Sequence, residues 1–248
     1  MTSAEELELR IQQIDGWIRA LTSEVHFLDE RVHLVKPLVQ DTEVQAAMRA
    51  KLDRTLGADI WNQLVPLLGQ DYIRELARLF LDKGEKTGSL TNIWRKLNVS
   101  GVRERYRVSY GHMDDYHYDR PMDGFSQEAK EEWRQQDREK NLAHFDDEWS
   151  RLSVTMEELS SDPVGNSIRT FRDKRHAHWE MQPLGHDPAP FDISTLGLTY
   201  DAVFAFGQEC EQILADLGKL LTHTHWEPSQ FSEMSAEQGK ALWMTLAK

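Results

Sequence analysis

Between Arg169 and His178 the chain reads RTFRDKRHAH, which places Arg169, Arg172, Lys174, Arg175, His176 and His178 within one short stretch. Asp173 stands directly after Arg172. These residue types suit one reaction that needs no metal. A base takes the proton of a ribose 2′-hydroxyl, and the freed oxygen attacks the neighbouring phosphorus. An acid then protonates the departing 5′-oxygen. Histidine serves both proton transfers because its ordinary pKa is ~6.5. Arginine suits the phosphate because its planar fork is always charged and donates two parallel bonds. An acid beside them can hold either in position. Yet a charged run on a helix is as readily a solvated face.

Spacing sharpens the question. On a straight α-helix Arg172 and His176 share a face, and so do Arg175 and His178. Arg172 and His178 are six apart, hence ~9 Å along the axis and ~120° around it. For both to act on one phosphate, the helix must end or bend between them, or a second copy must supply one of them.

The elements that must position this stretch are helical almost throughout. From about Ala4 to Val35 the residues Leu7, Ile11, Ile14, Ile18, Leu21, Val25, Leu28 and Val32 step by three and four, the mark of an amphipathic helix. Pro37 is expected to end it. A second helix is expected from Asp41 to Leu56 with Gly57 as its stop, and a third from about Gln70 to Asp82. A break at 84–88 and a short helix from Ser89 to Leu97 follow. Residues 99–125, with Gly101, Gly111, Pro121 and Gly124, are expected to be irregular, a loop or insertion in which VRERYRVSY could form a strand. Ser126 caps a long charged helix to about Leu159. Asp162-Pro163 then starts the helix that carries the basic stretch and stops before Pro183. After the loop MQPLGHDPAPFD, Thr199 caps a helix with the stripe Val203, Phe206, Cys210, Ile213, Leu214, Leu217 and Leu221. A last helix spans Ser235 to Ala247. The fold class is all-α, a helical bundle divided into N-terminal helices over 1–57, the main bundle over 58–225 and a C-terminal tail helix over 226–248.

Composition narrows the function. The formal charge is −13, the opposite of a protein that coats nucleic acid, but compatible with one local basic patch. No apolar run nears the ~20 residues of a membrane span, and the N-terminus has no apolar signal core. With one cysteine, Cys210, there is no intramolecular disulfide, and the chain reads as cytoplasmic.

FRDKRHAHWE resembles the motif of the HEPN superfamily: arginine, four to six residues of which the first is polar, then histidine. Arg172 and His178 have five residues between them. YIRELARLFLDKGEKTGSLTNIWRKL is similar to the upstream helix pair of the phage-abortive-infection, AbiU-like branch. LTYDAVFAFGQECEQILADL is similar to the helix after its motif loop. The resemblance covers about Ile60 to Leu221. It implies a dimerising helical bundle with the motif helices of two chains meeting at a shared cleft, and a metal-independent endoribonuclease acting as a toxin or phage-defence effector. Arg172 would bind the phosphate, His178 would act as general acid or base, and Asp173 would orient one of them. Arg169, Lys174, Arg175 and His176 would contact RNA, and His176 is a rival for the proton transfer. Expected partners are RNA, a second copy, and an antitoxin or regulatory protein, with no membrane. Some members of the superfamily have lost catalysis, so a silent module binding RNA, nucleotide or protein is the alternative.

Other candidates are weaker. His176/His178 and His223/His225 invite a metal, but residues two apart lie on opposite faces of a helix, so no metal site is expected. The segment YGHMDDYHYDRP could stack on bases or pack over the bundle, and Asp114, Asp115 and Asp119 would repel phosphate unless paired. There is no G-x-S-x-G elbow, Walker A loop or dinucleotide fingerprint, and no cofactor is expected.

Overall fold

A computed structural model describes residues 3–120, 124–178, 180–183, 185, 188–228 and 230–248. Among these the only β pairing is an isolated antiparallel bridge between Met181 and Pro190. The fold is an all-α bundle. Helix α1 spans Ser3–Gln40, α2 Thr42–Leu52, α3 Gly57–Leu76, α4 Leu90–Leu97, α5 Val102–Gly111 and α6 Asp115–Tyr118. Then come α7 (Gln127–Ser161), α8 (Pro163–Phe171), α9 (Tyr200–Thr222) and α10 (Ser232–Leu246). Two π-helical turns are inserted, Ala77–Leu81 after α3 and Arg172–Ala177 after α8.

The apolar stripe of α1 lies in the core as its spacing predicts. Ile11, Ile14, Ile18, Leu21, Val25, Leu28, Val32 and Val35 pack with the buried faces of α3, α4, α7 and α9. A smaller cluster of Leu38, Val44, Met48 and Trp243 ties the end of α1 to α2 and α10, with the Trp61 ring edge-on to Trp243 at 5.6 Å. One core therefore continues from the first helix through the middle of the chain.

The helix starts follow capping chemistry. Asp41, Ser89, Ser126, Asp162 and Thr199 each accept a first-turn backbone N–H on their side chain. Elsewhere the helices depart from expectation. Pro37 lies inside α1. It leaves the His33 carbonyl without its helical donor, and α10 packs on that point. A Cβ on Gly239 would sit 2.0 Å from the His33 oxygen, and Trp243 Nε1 donates to the Leu34 carbonyl at 2.9 Å. Gly57 does not stop α2 but opens α3. The turn is made instead by Arg54 in a left-handed conformation, φ 59°, and by the Thr55 hydroxyl, which donates to the Leu52 carbonyl and accepts from Gly57 N. Residues 102–111 are helix, neither strand nor loop. Val102, Tyr106 and Tyr110 step by four onto the core, while Arg103 and Arg107 pair with Asp146 of α7. Pro121 lies outside the described residues.

Helix α9 sets the spacing of its neighbours through reciprocal notches. A Cβ on Gly207 would meet the Tyr72 hydroxyl of α3 at 2.3 Å, and a Cβ on Gly69 would meet the Tyr200 hydroxyl of α9 at 2.6 Å. Each tyrosine fits only because its partner is glycine. Gly165 of α8 lies likewise under the Phe206 ring of α9.

Glu211 is a buried carboxyl on this central helix, 4% exposed. Burial first, and then the nearby Asp29, push its pKa up to about 8, against the pull of Lys36. The folded state therefore holds a proton that the unfolded chain releases above about 4.5. This stabilisation is complete at low pH and is lost as pH rises to about 8, by at most ~1.4 kcal/mol per pH unit. Thermal melts from pH 5 to 8 should show Glu211→Gln with a flatter profile than wild type and a relative gain at pH 8. Parallel profiles would contradict the assignment.

Candidate functional site

The basic stretch is positioned by a short, well-capped helix. Asp162 accepts from Gly165 N at 2.7 Å, and Pro163 fills the first turn. Gly165, Ile168 and Phe171 face the core. At Arg172 the ladder widens from α to π and runs to Ala177. The helix was expected to continue to Pro183. It ends instead at His178, which caps it with φ −132° and ψ 9°. So the change of helix demanded by the Arg172–His178 spacing is present. The chain then folds back: Glu180 N donates to the Lys174 carbonyl and Phe191 N to the Glu180 carbonyl, both at 2.8 Å.

Arg172 is held by two carboxylates. Its Nε donates to Asp173 Oδ1 at 2.8 Å, its Nη2 lies 2.8 Å from the same oxygen, and its Nη1 lies 3.5 Å from Asp82 Oδ2. The side chain remains a quarter exposed, 26%. Asp82 was not foreseen. It follows the first π turn, and its other oxygen accepts from Gly84 N at 2.9 Å. The buried Ser89 hydroxyl donates to its carbonyl, and buried Asn92 holds the loop through the Thr87 carbonyl at 2.6 Å. The acid that closes the YIRELARLFLD block was the only signal for it.

The other expected residues divide. Lys174 is engaged, 2.7 Å from Glu180 and 4.9 Å from the Phe191 ring centre. Arg169 turns inward, donating to Asn166 Oδ1 at 2.8 Å and the Ser160 carbonyl at 3.4 Å. Its Nε and Nη2 are buried without a partner. Burial, and then the charge of Arg172, hold its pKa below the usual arginine value. His176 packs on Phe171, ring centres 5.2 Å apart. Partial desolvation, Arg74 and Arg175 push its pKa below the ordinary histidine value. Arg74, on α3, was also missed. His178 is exposed and makes no hydrogen bond or ion pair to a described residue, so the structure does not join it to Arg172 within one chain.

The aromatic segment 110–120 is docked on α7. Asp114 accepts from Asn141 at 2.9 Å, Asp115 pairs with Arg138, and Asp119 pairs with Arg134 at 2.7 Å. Among the described residues no group of three or more His, Cys, Asp or Glu could hold a metal. His223 ends α9 in a left-handed turn, with its ring on Tyr110. No described helix is long and apolar enough to cross a membrane.

The scaffold is all-α, with Arg172 opening a π turn and His178 ending it. A family model described as AbiU2, a HEPN family, matches residues 11–242, and the chain belongs to that family. It is thus a HEPN-type protein of the abortive-infection-related branch. The match reaches beyond the resembling blocks to include most of α1 and α10. No curated protein and no solved structure matches the chain.

If Asp82 and Asp173 jointly hold Arg172, loss of Asp82 should loosen it. Asp82→Asn should increase the labelling of Arg172 by a dicarbonyl reagent several-fold, read by mass spectrometry, with little change in Tm. Unchanged labelling would mean that Asp173 alone positions the guanidinium.

Proposed function

We propose that this chain is a metal-independent endoribonuclease of phage defence that works as a homodimer. The observation that carries the reading is Arg172, partly exposed and oriented by Asp173 and Asp82 where α8 gives way to its π turn. Arg172 binds the scissile phosphate, and Asp173 steers its fork. His178 takes or gives the proton at the ribose 2′-oxygen and the leaving 5′-oxygen. An incoming phosphate competes with Asp173 for the guanidinium. The alternative is a silent binding module, favoured by the fact that Arg172 already faces two carboxylates.

Cleavage of RNA in EDTA separates the two. The wild type should leave 2′,3′-cyclic phosphate ends. Arg172→Ala and His178→Ala should each lose at least ~100-fold in rate, in line with removal of a transition-state contact or a general acid–base group, while His176→Ala retains most of it. Rates should fall as salt rises. No cleavage of any RNA by the wild type would favour the module.

A second copy completes the site in this reading. Leu56, Ile60 and Leu67 are exposed by 99%, 67% and 61% and follow one face of α3. That face continues to Asp71 and Arg74, whose charges act on His176. An apolar stripe running into the motif supports a dimer that brings His178 of one copy towards Arg172 of the other. Leu67→Glu should shift the mass in light scattering from dimer to monomer and abolish cleavage. A monomeric, active variant would overturn the composite site.

A further inference from the structure

Two stretches that the basic motif does not use come together at the far end of α9. The segment that follows α5 and the pair His223/His225 lie far apart in the chain, yet they line one hollow of about 710 Å³. Arg105 of α5, His112 just beyond it, and Lys219, His223 and His225 at the end of α9 all contribute to its walls. Phe206 marks the point where α8 packs on α9, over Gly165. Lys219 lies ~20 Å further along the helix, so the hollow is separate from the Arg172 motif.

A helix stop brings the two histidines to this wall. His223 adopts a left-handed conformation, φ 53°, and Thr224 N donates to the Gly218 carbonyl at 3.3 Å. Beyond the stop the backbone is no longer helical, and residues two apart can then share a side. His112 is oriented from behind. Its Nδ1 lies 2.9 Å from Asp115 Oδ2, and the hydrogen-bonded Arg138 holds the Asp115 pKa down to about 2, so this carboxylate only accepts. Nδ1 is thus the donor, and Nε2 is left to share a proton with a ligand.

The fixed charges favour an anion. Lys219 engages no described residue. The carboxylate one turn before it, Asp216, is taken by Arg151 and Gln212, each at 2.9 Å. Arg105 has only a 3.6 Å pair with Glu8. Among the described lining residues Asp114 is the one carboxylate, and it accepts from Asn141 at 2.9 Å. The imidazoles are not gathered for a metal, since among the described residues no group of three or more His, Cys, Asp or Glu could hold one. Cations and imidazoles spread round a hollow of this size suit a ligand with several oxygens better than a single ion.

We propose that this hollow binds a small anion carrying two or more phosphoryl groups. Lys219 and Arg105 hold its oxygens from two different helices through charge-assisted bonds. His223 and His225 donate beside Lys219, and His112 Nε2 shares a proton with a further oxygen. No part of the site uses Arg172 or His178, so it stands apart from the ribonuclease reading.

Titration calorimetry of the full-length protein with inorganic pyrophosphate, in EDTA, tests this. The wild type should show saturable binding at one site per chain. Lys219→Gln should weaken it about tenfold, the loss expected of one charge-assisted bond, and Arg105→Gln on the other helix should repeat that loss. His225→Ala should weaken it several-fold. All three side chains belong to exposed residues, so Tm should hardly move. Lys51→Gln, which removes a lysine from the last turn of α2 instead, should bind like the wild type. Absence of saturable binding, wild-type affinity in Lys219→Gln, or an equal loss in Lys51→Gln would overturn the proposal. Sulfate bound as tightly as pyrophosphate would overturn it too, since that means plain counter-ion attraction.

Discussion

The close approach of α9 to α3 and α8 governs the rest of the molecule. Tyr72 and Tyr200 each occupy a space that exists only because Gly207 and Gly69 lack a Cβ, and Phe206 does the same over Gly165. Such contacts admit one register, since a slide of either helix by a residue drives a ring into backbone. Fixing α3 fixes the π turn that follows it, and with it Asp82. Fixing α8 fixes the second π turn, and with it Arg172. The 3.5 Å pair between Asp82 and Arg172 is thus the end product of three glycine contacts deep in the core. A partly exposed ion pair contributes little to stability by itself. Its value here is orientation, and the orientation comes from apolar packing.

The two π turns make sense in the same frame. A π turn spends more residues per turn than the α ladder, and it is rare and frequently found at functional sites. In Ala77–Leu81 the widening presents Ala77, Leu79, Phe80 and Leu81 to the core at once. In Arg172–Ala177 none of the residues is buried. The same irregularity therefore anchors one side of the site and displays the other. The tether from Glu180 and Phe191, and the engagement of Lys174 by both, keep the exposed turn from unwinding.

How much of this was legible follows from the range of each interaction. The stripe of α1, the caps at Asp41, Ser89, Ser126, Asp162 and Thr199, and the apolar face of α9 are local, and their spacing or side-chain chemistry declares them. Pro37 misled because what holds the helix through it is distant in sequence: α10, some two hundred residues later, packs Gly239 on the His33 carbonyl and donates Trp243 Nε1 to the Leu34 carbonyl. Residues 102–111 misled because alternating arginines imitate a strand, while the partner of Arg103 and Arg107 is Asp146 on another helix. At the site, Arg172, Asp173 and His178 stand out by type and spacing. Asp82 and Arg74 do not, since only the glycine-set register of α3 brings them to the motif.

What the fold leaves unmatched is as informative as what it joins. Within one chain Arg172 is oriented on two sides by carboxylates, yet His178, the exposed cap of the same turn, engages no described residue. If His178 carries the proton in the proposed reaction, it has little catalytic use until something else supplies the geometry. The chain as a whole is acidic, with a formal charge of −13, and on α3 the exposed apolar face leads to Arg74, which pairs with Asp71 and Glu75. In the proposed dimer, burying this face against a second copy would take exposed leucine and isoleucine out of water and bring a second His178 towards Arg172, so that one surface would govern both assembly and the proposed activity.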